Sequence, residues 1–146
     1  MTQENKDLLI KDLCARVPYD LVVQIEDCGI WNLRGVDHDD SAELRDRVIV
    51  WHGKDYPSSK NSFPIINCKP YLFPISSITK EQRNEFPFEL SLLNAFINGH
   101  ISLFEDEELS VDDIIRMMDC LNRNHIDYRG LIPLGLAIDC TNLNIY

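Results

Sequence analysis

The spacing of apolar residues changes partway along this chain of 146 residues. Between residues 17 and 75, apolar and polar side chains alternate in several short runs, and a period of two is typical of half-buried β-strands. Between residues 79 and 138, apolar side chains recur at intervals of three and four, which is typical of helices with one buried face. We therefore predict an α+β fold, in which a small antiparallel sheet with an N-terminal helix packs against two or three C-terminal helices.

The chain is predicted to begin with a helix followed by a hairpin. Gly29 lies between two alternating runs and supplies the backbone freedom that a tight turn needs. Further along, Pro64, Pro70 and Pro74 each lack an amide hydrogen, so residues 63–75 are predicted to form at most a short or edge strand followed by irregular chain. Spacing and composition together predict a helix over residues 5–16, strands over 21–26, 30–34 and 44–52, and loops over 35–41 and 54–62.

The second half is predicted to be helical. Thr79 and Gln82 have the spacing of a capping box, in which each side chain binds the other residue's backbone amide at a helix start. Pro87 then interrupts the pattern and indicates either a kink or a second helix over residues 87–98. The clearest helix is predicted over residues 111–124. Its apolar stripe consists of Val111, Ile114, Ile115, Met118, Leu121 and His125.

Length and composition favour one folded domain over residues 1–146, with a strand-rich part at 17–75 and a helical part at 79–138. Apolar residues make up 45% of the chain, which is typical of a globular protein with a core. The five cysteines are scattered and include no Cys-x-x-Cys pair, so we expect reduced, mostly buried thiols and no structural zinc. With no apolar signal core or membrane-length apolar run, the expected location is the cytoplasm, and no cofactor is indicated.

The charge balance bears on the choice of partner. Fourteen basic residues against twenty-four acidic ones give a net charge of −10, which repels nucleic acid phosphates and anionic lipids. We therefore expect a protein partner, and neither nucleic acid nor a membrane. Six of the nine residues over 105–113 are acidic. This run is interpreted mainly as the solvated start of a helix, and alternatively as part of an acidic nucleic-acid mimic that inhibits a basic host protein.

One acidic loop has some of the residue types of a metal site. Clustered carboxylates beside an imidazole suit a divalent cation. The match to a calcium-binding loop fails on spacing, because the required glycine and glutamate would fall on Ala42 and Val48. A solvated loop is the preferred interpretation, and no metal is predicted. The weak candidate ligands are Asp37, His38, Asp39 and Asp40.

The sequence contains no standard catalytic motif. It has no phosphate-binding glycine-rich loop, no Gly-x-Ser-x-Gly and no His-Glu-x-x-His. An enzymatic function is therefore unsupported, and we assign no catalytic residue. A small metal-dependent hydrolase is kept as the alternative to a non-enzymatic protein.

Three segments resemble a known family. They are KDLLIKDLCARVPY at residues 6–19, KPYLFPISSITKEQ at 69–82 and LNRNHIDYRGLIPLGLAIDCTNLNIY at 121–146. Together they cover about a third of the chain and resemble small uncharacterised proteins of Bacteroides-type gut bacteria and their prophages or mobile elements. The chain departs from the expected pattern at Ile78 and Ile126. The resemblance implies a phage or mobile-element setting, and it implies no chemistry. The favoured function is a non-enzymatic accessory or interaction protein of such a system.

The last segment contains the residues that we consider the candidate ligand or interaction corner. They follow the long helix directly and combine an imidazole, a carboxylate, a phenol and a guanidinium: His125, Asp127, Tyr128 and Arg129. One interpretation is a salt-bridged, hydrogen-bonded corner with a structural role. The other is a binding site, which would require the same groups to face an accessible cleft. The structural corner is the preferred interpretation.

Overall fold

The computed structural model describes residues 1–37, 46–51, 60–85 and 111–146. Within these ranges the chain has the predicted α+β architecture, with an N-terminal helix, a mostly antiparallel sheet and helices in the C-terminal part of the chain. Six strands form this sheet in the order β4-β3-β2-β1-β5-β6. The elements are α1 (Gln3–Arg16), β1 (Val22–Ile25), β2 (Gly29–Asp37), β3 (Arg47–Trp51), β4 (Lys60–Pro64), β5 (Cys68–Leu72), α2 (Lys80–Glu85), α3 (Val111–Arg123) and β6 (Ile138–Asp139).

Helix α1 begins slightly before its predicted start because Thr2 caps it. The Thr2 hydroxyl accepts a hydrogen bond from the backbone amide of Asn5 at 3.2 Å, which satisfies one of the free amides of the first turn. The helix is followed by a single 3-10 turn that contains Pro18. One face of α1 packs Leu9 and Leu13 against the sheet, and both side chains are fully buried.

The predicted hairpin is confirmed in β1 and β2, which pair in antiparallel register. Gly29 has a φ of 89°, a left-handed conformation that residues with a Cβ rarely adopt. Strand β2 extends to Asp37, three residues beyond its predicted end at 34, and its register with β3 shifts between Leu33 and Gly35. Such a bulge adds a residue to one strand and increases the local twist.

Strand β4 corrects the predicted loop over residues 54–62. It begins at Lys60 and pairs antiparallel with β3 as an edge strand of the sheet. Pro64 lies at its end, a position that tolerates a missing backbone donor. The remainder of that predicted loop lies outside the described residues.

Strand β5 agrees with the prediction of a short strand in the proline-rich segment, since it has five residues, but it is not an edge strand, because it lies between β1 and β6. The Glu26 amide donates to the Asn67 carbonyl at 2.9 Å, so these two residues form a hydrogen-bonded pair. Such pairs recur at every second residue of an antiparallel ladder, so Pro70, three residues after Asn67, does not belong to one. The nitrogen of Pro70 therefore points away from β1. On the other side β6 pairs only from Tyr71 onward, so the proline interrupts no ladder hydrogen bond.

The C-terminal helices follow the predicted signals in part. The capping box at α2 is confirmed, with the Thr79 amide 2.9 Å from Gln82 Oε1 and the Gln82 amide 3.2 Å from Thr79 Oγ1. The helix predicted over residues 111–124 is confirmed as α3. Part of its stripe is not buried, because Val111 and Ile115 are 72% and 60% exposed. The helix predicted over residues 87–98 lies outside the described part of the chain.

The buried apolar residues form a continuous layer on one face of the sheet and smaller clusters around it. The main cluster joins α1 to the sheet through Leu9, Leu13, Val23, Leu33, Val50 and Leu72. A second cluster packs α3 against the chain that follows it through Met117, Leu121, Ile126 and Tyr128. A third covers the opposite face of the sheet with Val22, Tyr71 and Cys140. Among the described residues, none of the helices is both long and apolar enough to cross a membrane.

Replacement of Leu13 by Ala is expected to test the packing of α1 on the sheet. The side chain is fully buried, so its truncation should leave a cavity and lower the free energy of unfolding by about 2–5 kcal/mol. Leu143→Ala, at a side chain that is 46% exposed, is the control and should change stability by less than about 0.5 kcal/mol. Urea unfolding followed by circular dichroism measures both, and equal losses would contradict this packing.

Candidate functional site

The candidate corner lies where α3 ends and the chain turns towards β6. His125, Asp127 and Tyr128 are 7%, 6% and 8% exposed, and the side chain of Arg129 is 21% exposed. The structure brings these four residues together with two side chains of α1 that the sequence analysis had assigned no role. Those two residues are Asp12 and Arg16.

Asp12 and Arg16 form a fully buried ion pair one turn apart on α1. Arg16 Nε lies 2.8 Å from Asp12 Oδ2, and Arg16 Nη2 lies 3.0 Å from Asp12 Oδ1. This two-point geometry is the strongest form of a guanidinium–carboxylate contact. Arg129 adds a second cation, with its Nη1 at 3.0 Å from Asp12 Oδ1. A single buried carboxylate therefore holds two guanidinium groups from distant parts of the chain.

The remaining donors of Arg16 connect α1 to the end of α3. Arg16 Nη2 donates to the carbonyl of Ile126 at 2.7 Å, and Nη1 donates to the carbonyl of Leu121 at 3.5 Å. Carbonyls at the end of a helix lack partners within the helix and carry a partial negative charge, which favours a nearby cation. Arg16 therefore adds a charged donor to two carbonyls that also accept backbone amides, Leu121 from Ile126 and Ile126 from Tyr128.

His125 ends α3 in a left-handed conformation, with a φ of 54°. Its amide donates to the Asn122 carbonyl at 3.1 Å, and the Ile126 amide donates to the Leu121 carbonyl at 2.9 Å. This hydrogen-bond pattern is the Schellman motif, which usually places glycine at the left-handed position. The motif explains why His125 does not continue the predicted stripe of α3.

The imidazole of His125 is buried and stacks on the ring of Tyr146, with the centroids 4.1 Å apart and the planes inclined by 13°. Within the described residues its Nδ1 has no hydrogen-bond partner. Burial, and then the nearby charge of Arg16, lower the pKa of His125 from 6.5 to about 4. The side chain is therefore neutral at physiological pH.

Tyr146 links this stack to the sheet. Its hydroxyl donates to the carbonyl of Tyr71 in β5 at 2.7 Å and accepts a hydrogen bond from the amide of Val22 in β1 at 3.4 Å. Burial raises the pKa of this phenol above its ordinary value. The stack on His125 therefore extends from the end of α3 to two neighbouring strands.

Tyr128 and Asp127 are also occupied by internal contacts. The Tyr128 hydroxyl donates to Asn122 Oδ1 at 3.1 Å, and the guanidinium of Arg129 lies 4.5 Å from the centre of the Tyr128 ring. The two oxygens of Asp127 accept hydrogen bonds from the amides of Leu131 and Ile132, at 2.8 and 2.7 Å. Asp127 thereby shapes the turn that leads towards β6.

The backbone of the corner is also tied to the segment after β5. The Phe73 amide donates to the His125 carbonyl at 2.9 Å, and the Asp127 amide donates to the Phe73 carbonyl at 2.7 Å. Among the four predicted residues, Arg129 forms a salt bridge with Asp12, and Asp127 and Tyr128 form hydrogen bonds within the chain. Chemically, the arrangement orients and satisfies charges within the protein.

The other sequence-derived candidates are only partly described. Asp37 is exposed at the end of β2, in register with Arg47 of β3. His38, Asp39 and Asp40 lie outside the described residues, as does most of the acidic run over 105–113. In the part of the chain that the structure describes, no group of three or more His, Cys, Asp or Glu residues is placed to hold a metal ion.

Sequence reasoning missed Asp12 and Arg16, although a signal was present. They are four residues apart and fall in the same helical stripe as Leu9 and Leu13, whereas a solvated ion pair would fall on the opposite face. Comparisons with protein-family models, with curated proteins and with solved structures found no match to this chain. The corner is therefore interpreted from its own geometry, without roles taken from relatives.

Replacement of Arg16 by Met is expected to destabilise the fold strongly. The variant keeps most of the side-chain volume but removes the buried positive charge, so the free energy of unfolding should fall by about 3–5 kcal/mol. Arg123→Met is the matched control, because Arg123 pairs with Asp119 at the same spacing but is 63% exposed. It should cost less than about 1 kcal/mol. Similar losses in the two variants, measured by urea unfolding, would contradict a structural role for the buried pair.

Acid is expected to destabilise the protein through His125. Because the pKa is lower in the folded state, about 4, than the ordinary 6.5, the unfolded chain binds the proton more tightly and stability falls as pH drops through this window. Between neutral pH and about pH 5.5, where most carboxylates remain ionised, His125 should account for a loss of about 1 kcal/mol.

His125→Asn is the control for this pH dependence, since asparagine tolerates the left-handed backbone but does not titrate. Urea unfolding at the two pH values should give a flatter dependence for the variant than for the wild type. An unchanged slope would show that another group is responsible.

Proposed function

We propose that this chain is a non-enzymatic accessory protein that acts by binding another protein. The observation that supports this proposal is that the charged groups of the corner bind other groups of the same chain. Arg16 and Arg129 both bind Asp12, and Asp127 is bound by two backbone amides. Catalytic groups need to come within hydrogen-bond reach of a substrate. The charged groups of this corner are instead committed to contacts within the chain.

The proposed partner is a protein with a basic surface. A net charge of −10 attracts such a surface at long range and repels nucleic acids and anionic membranes. Complementary charge mainly affects the rate and selectivity of association, so binding should weaken as salt is added. An acidic nucleic-acid mimic is a special case of this function, in which the partner is a nucleic-acid-binding protein.

The proposed setting is the cytoplasm of Bacteroides-type bacteria, in a prophage or mobile element. The resemblance over residues 6–19, 69–82 and 121–146 supports the bacterial and mobile-element setting. The scattered cysteine pattern supports the cytoplasm. These three segments meet at the corner, through Arg16, Phe73 and His125. Neighbouring genes are expected to include phage or mobile-element genes, and a neighbourhood of housekeeping genes would count against this setting.

The function can be tested by quantitative cross-linked copurification from the host, with the tagged full chain as bait. One basic protein should be recovered at a constant ratio to the bait, and its recovery should fall steeply as salt rises. The variant Arg129→Lys keeps the charge beside Asp12. Used as bait below the melting temperature of the variant, it should recover the same protein at the same ratio, because the proposed role of the corner is structural.

Two results would contradict the proposal. One is a stoichiometric metal ion in the purified protein together with hydrolysis of a phosphate or carboxylate ester that Arg129→Lys abolishes. The other is the recovery of no protein at a constant ratio at any salt concentration.

A further inference from the structure

A groove of about 360 Å³ opens beside the turn between β1 and β2. It lies where this turn meets the short segment that precedes β5, and it shares no residue with the corner. Its lining combines carboxylates, amides, one ammonium group and one large apolar side chain. The lining residues are Gln24, Glu26, Asp27, Ile66, Asn67 and Lys69.

The groove is held in shape by contacts on its walls. The Glu26 amide donates to the Asn67 carbonyl at 2.9 Å, which fixes the turn against the segment before β5. Trp31 Nε1 donates to the Cys28 carbonyl at 3.0 Å and fixes the other end of the turn. Gln24 Oε1 accepts a hydrogen bond from the Tyr71 hydroxyl at 2.8 Å. A groove that is already formed avoids much of the ordering cost of binding.

The charges of the groove are available to a ligand. Glu26 and Asp27 are exposed, and within the described residues neither carboxylate forms an ion pair or a side-chain hydrogen bond. Lys69 is exposed on the same lining, so two carboxylates and one ammonium leave a net charge of −1. Ile66 adds an apolar wall, since its side chain is 50% exposed. Such a lining complements one monovalent cation that has an apolar stem.

We propose that this groove binds an arginine side chain of the partner protein. The guanidinium would donate to the adjacent carboxylates of Glu26 and Asp27, and its aliphatic stem would lie on Ile66. Arginine fits better than lysine because its planar group can donate to two carboxylates at once and is more weakly hydrated. A divalent cation fits poorly, because calcium takes six to eight oxygen ligands, whereas this lining offers two carboxylates beside an ammonium. This inference rests on the proposed function and specifies the chemistry of its partner.

The test uses the full chain and acetyl-tetra-arginine amide as the probe, with binding followed by ¹H–¹⁵N NMR and calorimetry. Backbone shifts should concentrate at residues 24–31 and 66–69. The variant Glu26→Gln/Asp27→Asn should weaken binding by about tenfold or more, because it removes both acceptor charges. Asparagine suits the left-handed backbone of Asp27, whose φ is 59°.

The matched control is Glu4→Gln/Asp7→Asn, which removes the same two charges from exposed positions of α1. It should retain nearly wild-type affinity. Lys69→Gln should strengthen binding, since it removes the only cation from the lining. Acetyl-tetra-lysine amide should bind more weakly than the arginine probe. Equal weakening in the two double variants, shifts spread over the whole surface, equal affinity for both peptides or displacement of the probe by calcium would each overturn the inference.

Copurification separates this inference from the proposed function. If a basic partner is recovered equally by the wild type and by Glu26→Gln/Asp27→Asn, the arginine site is wrong and the interaction function stands. If the arginine probe binds as expected but no partner is recovered at any salt concentration, the site stands and the proposed function fails.

Discussion

The buried ion pair between Asp12 and Arg16 is the contact on which the arrangement of the C-terminal half depends. Both side chains are fully buried, so removing one of them would leave an unpaired buried charge and lower the free energy of unfolding. The carboxylate also holds Arg129, and Arg16 uses its other donors on carbonyls at the end of α3. One turn of the first helix therefore binds both the end of α3 and the chain that follows it.

A second constraint acts at the same place. His125 adopts a left-handed backbone, which costs a residue with a Cβ roughly 1 kcal/mol or more. The Schellman hydrogen bonds and the stack on Tyr146 compensate for this conformation, and Tyr146 carries the contact to β1 and β5. Histidine, aspartate, tyrosine and arginine side chains close together often indicate catalysis. Here Asp127, Tyr128 and Arg129 bind other groups of the chain and the His125 ring stacks on Tyr146, so these residue types pack together at a junction between helix and sheet.

Short sequence motifs predicted the elements that are stabilised by contacts between residues close together in the chain. Gly29 and the alternation around it located the hairpin, and Thr79 with Gln82 located the start of α2. Predictions were incomplete where the effect of a residue depends on its neighbours in the fold. Pro70 argues against a central strand until β6 is seen to pair only from Tyr71 onward. His125 lay in a helical stripe, but its backbone conformation depends on distant partners.

The sequence by itself determined the class of the fold, the order of its main elements and the strongly acidic character of the protein, because periodicity, capping and charge act over a few residues or add along the chain. Only the tertiary structure decided that Asp12 and Arg16 join Arg129 and Ile126, more than a hundred positions away, and that the groove lining comes from both 24–27 and 66–69. Burial and pairing of charged groups depend on which segments pack together. No spacing within a single segment contains that information.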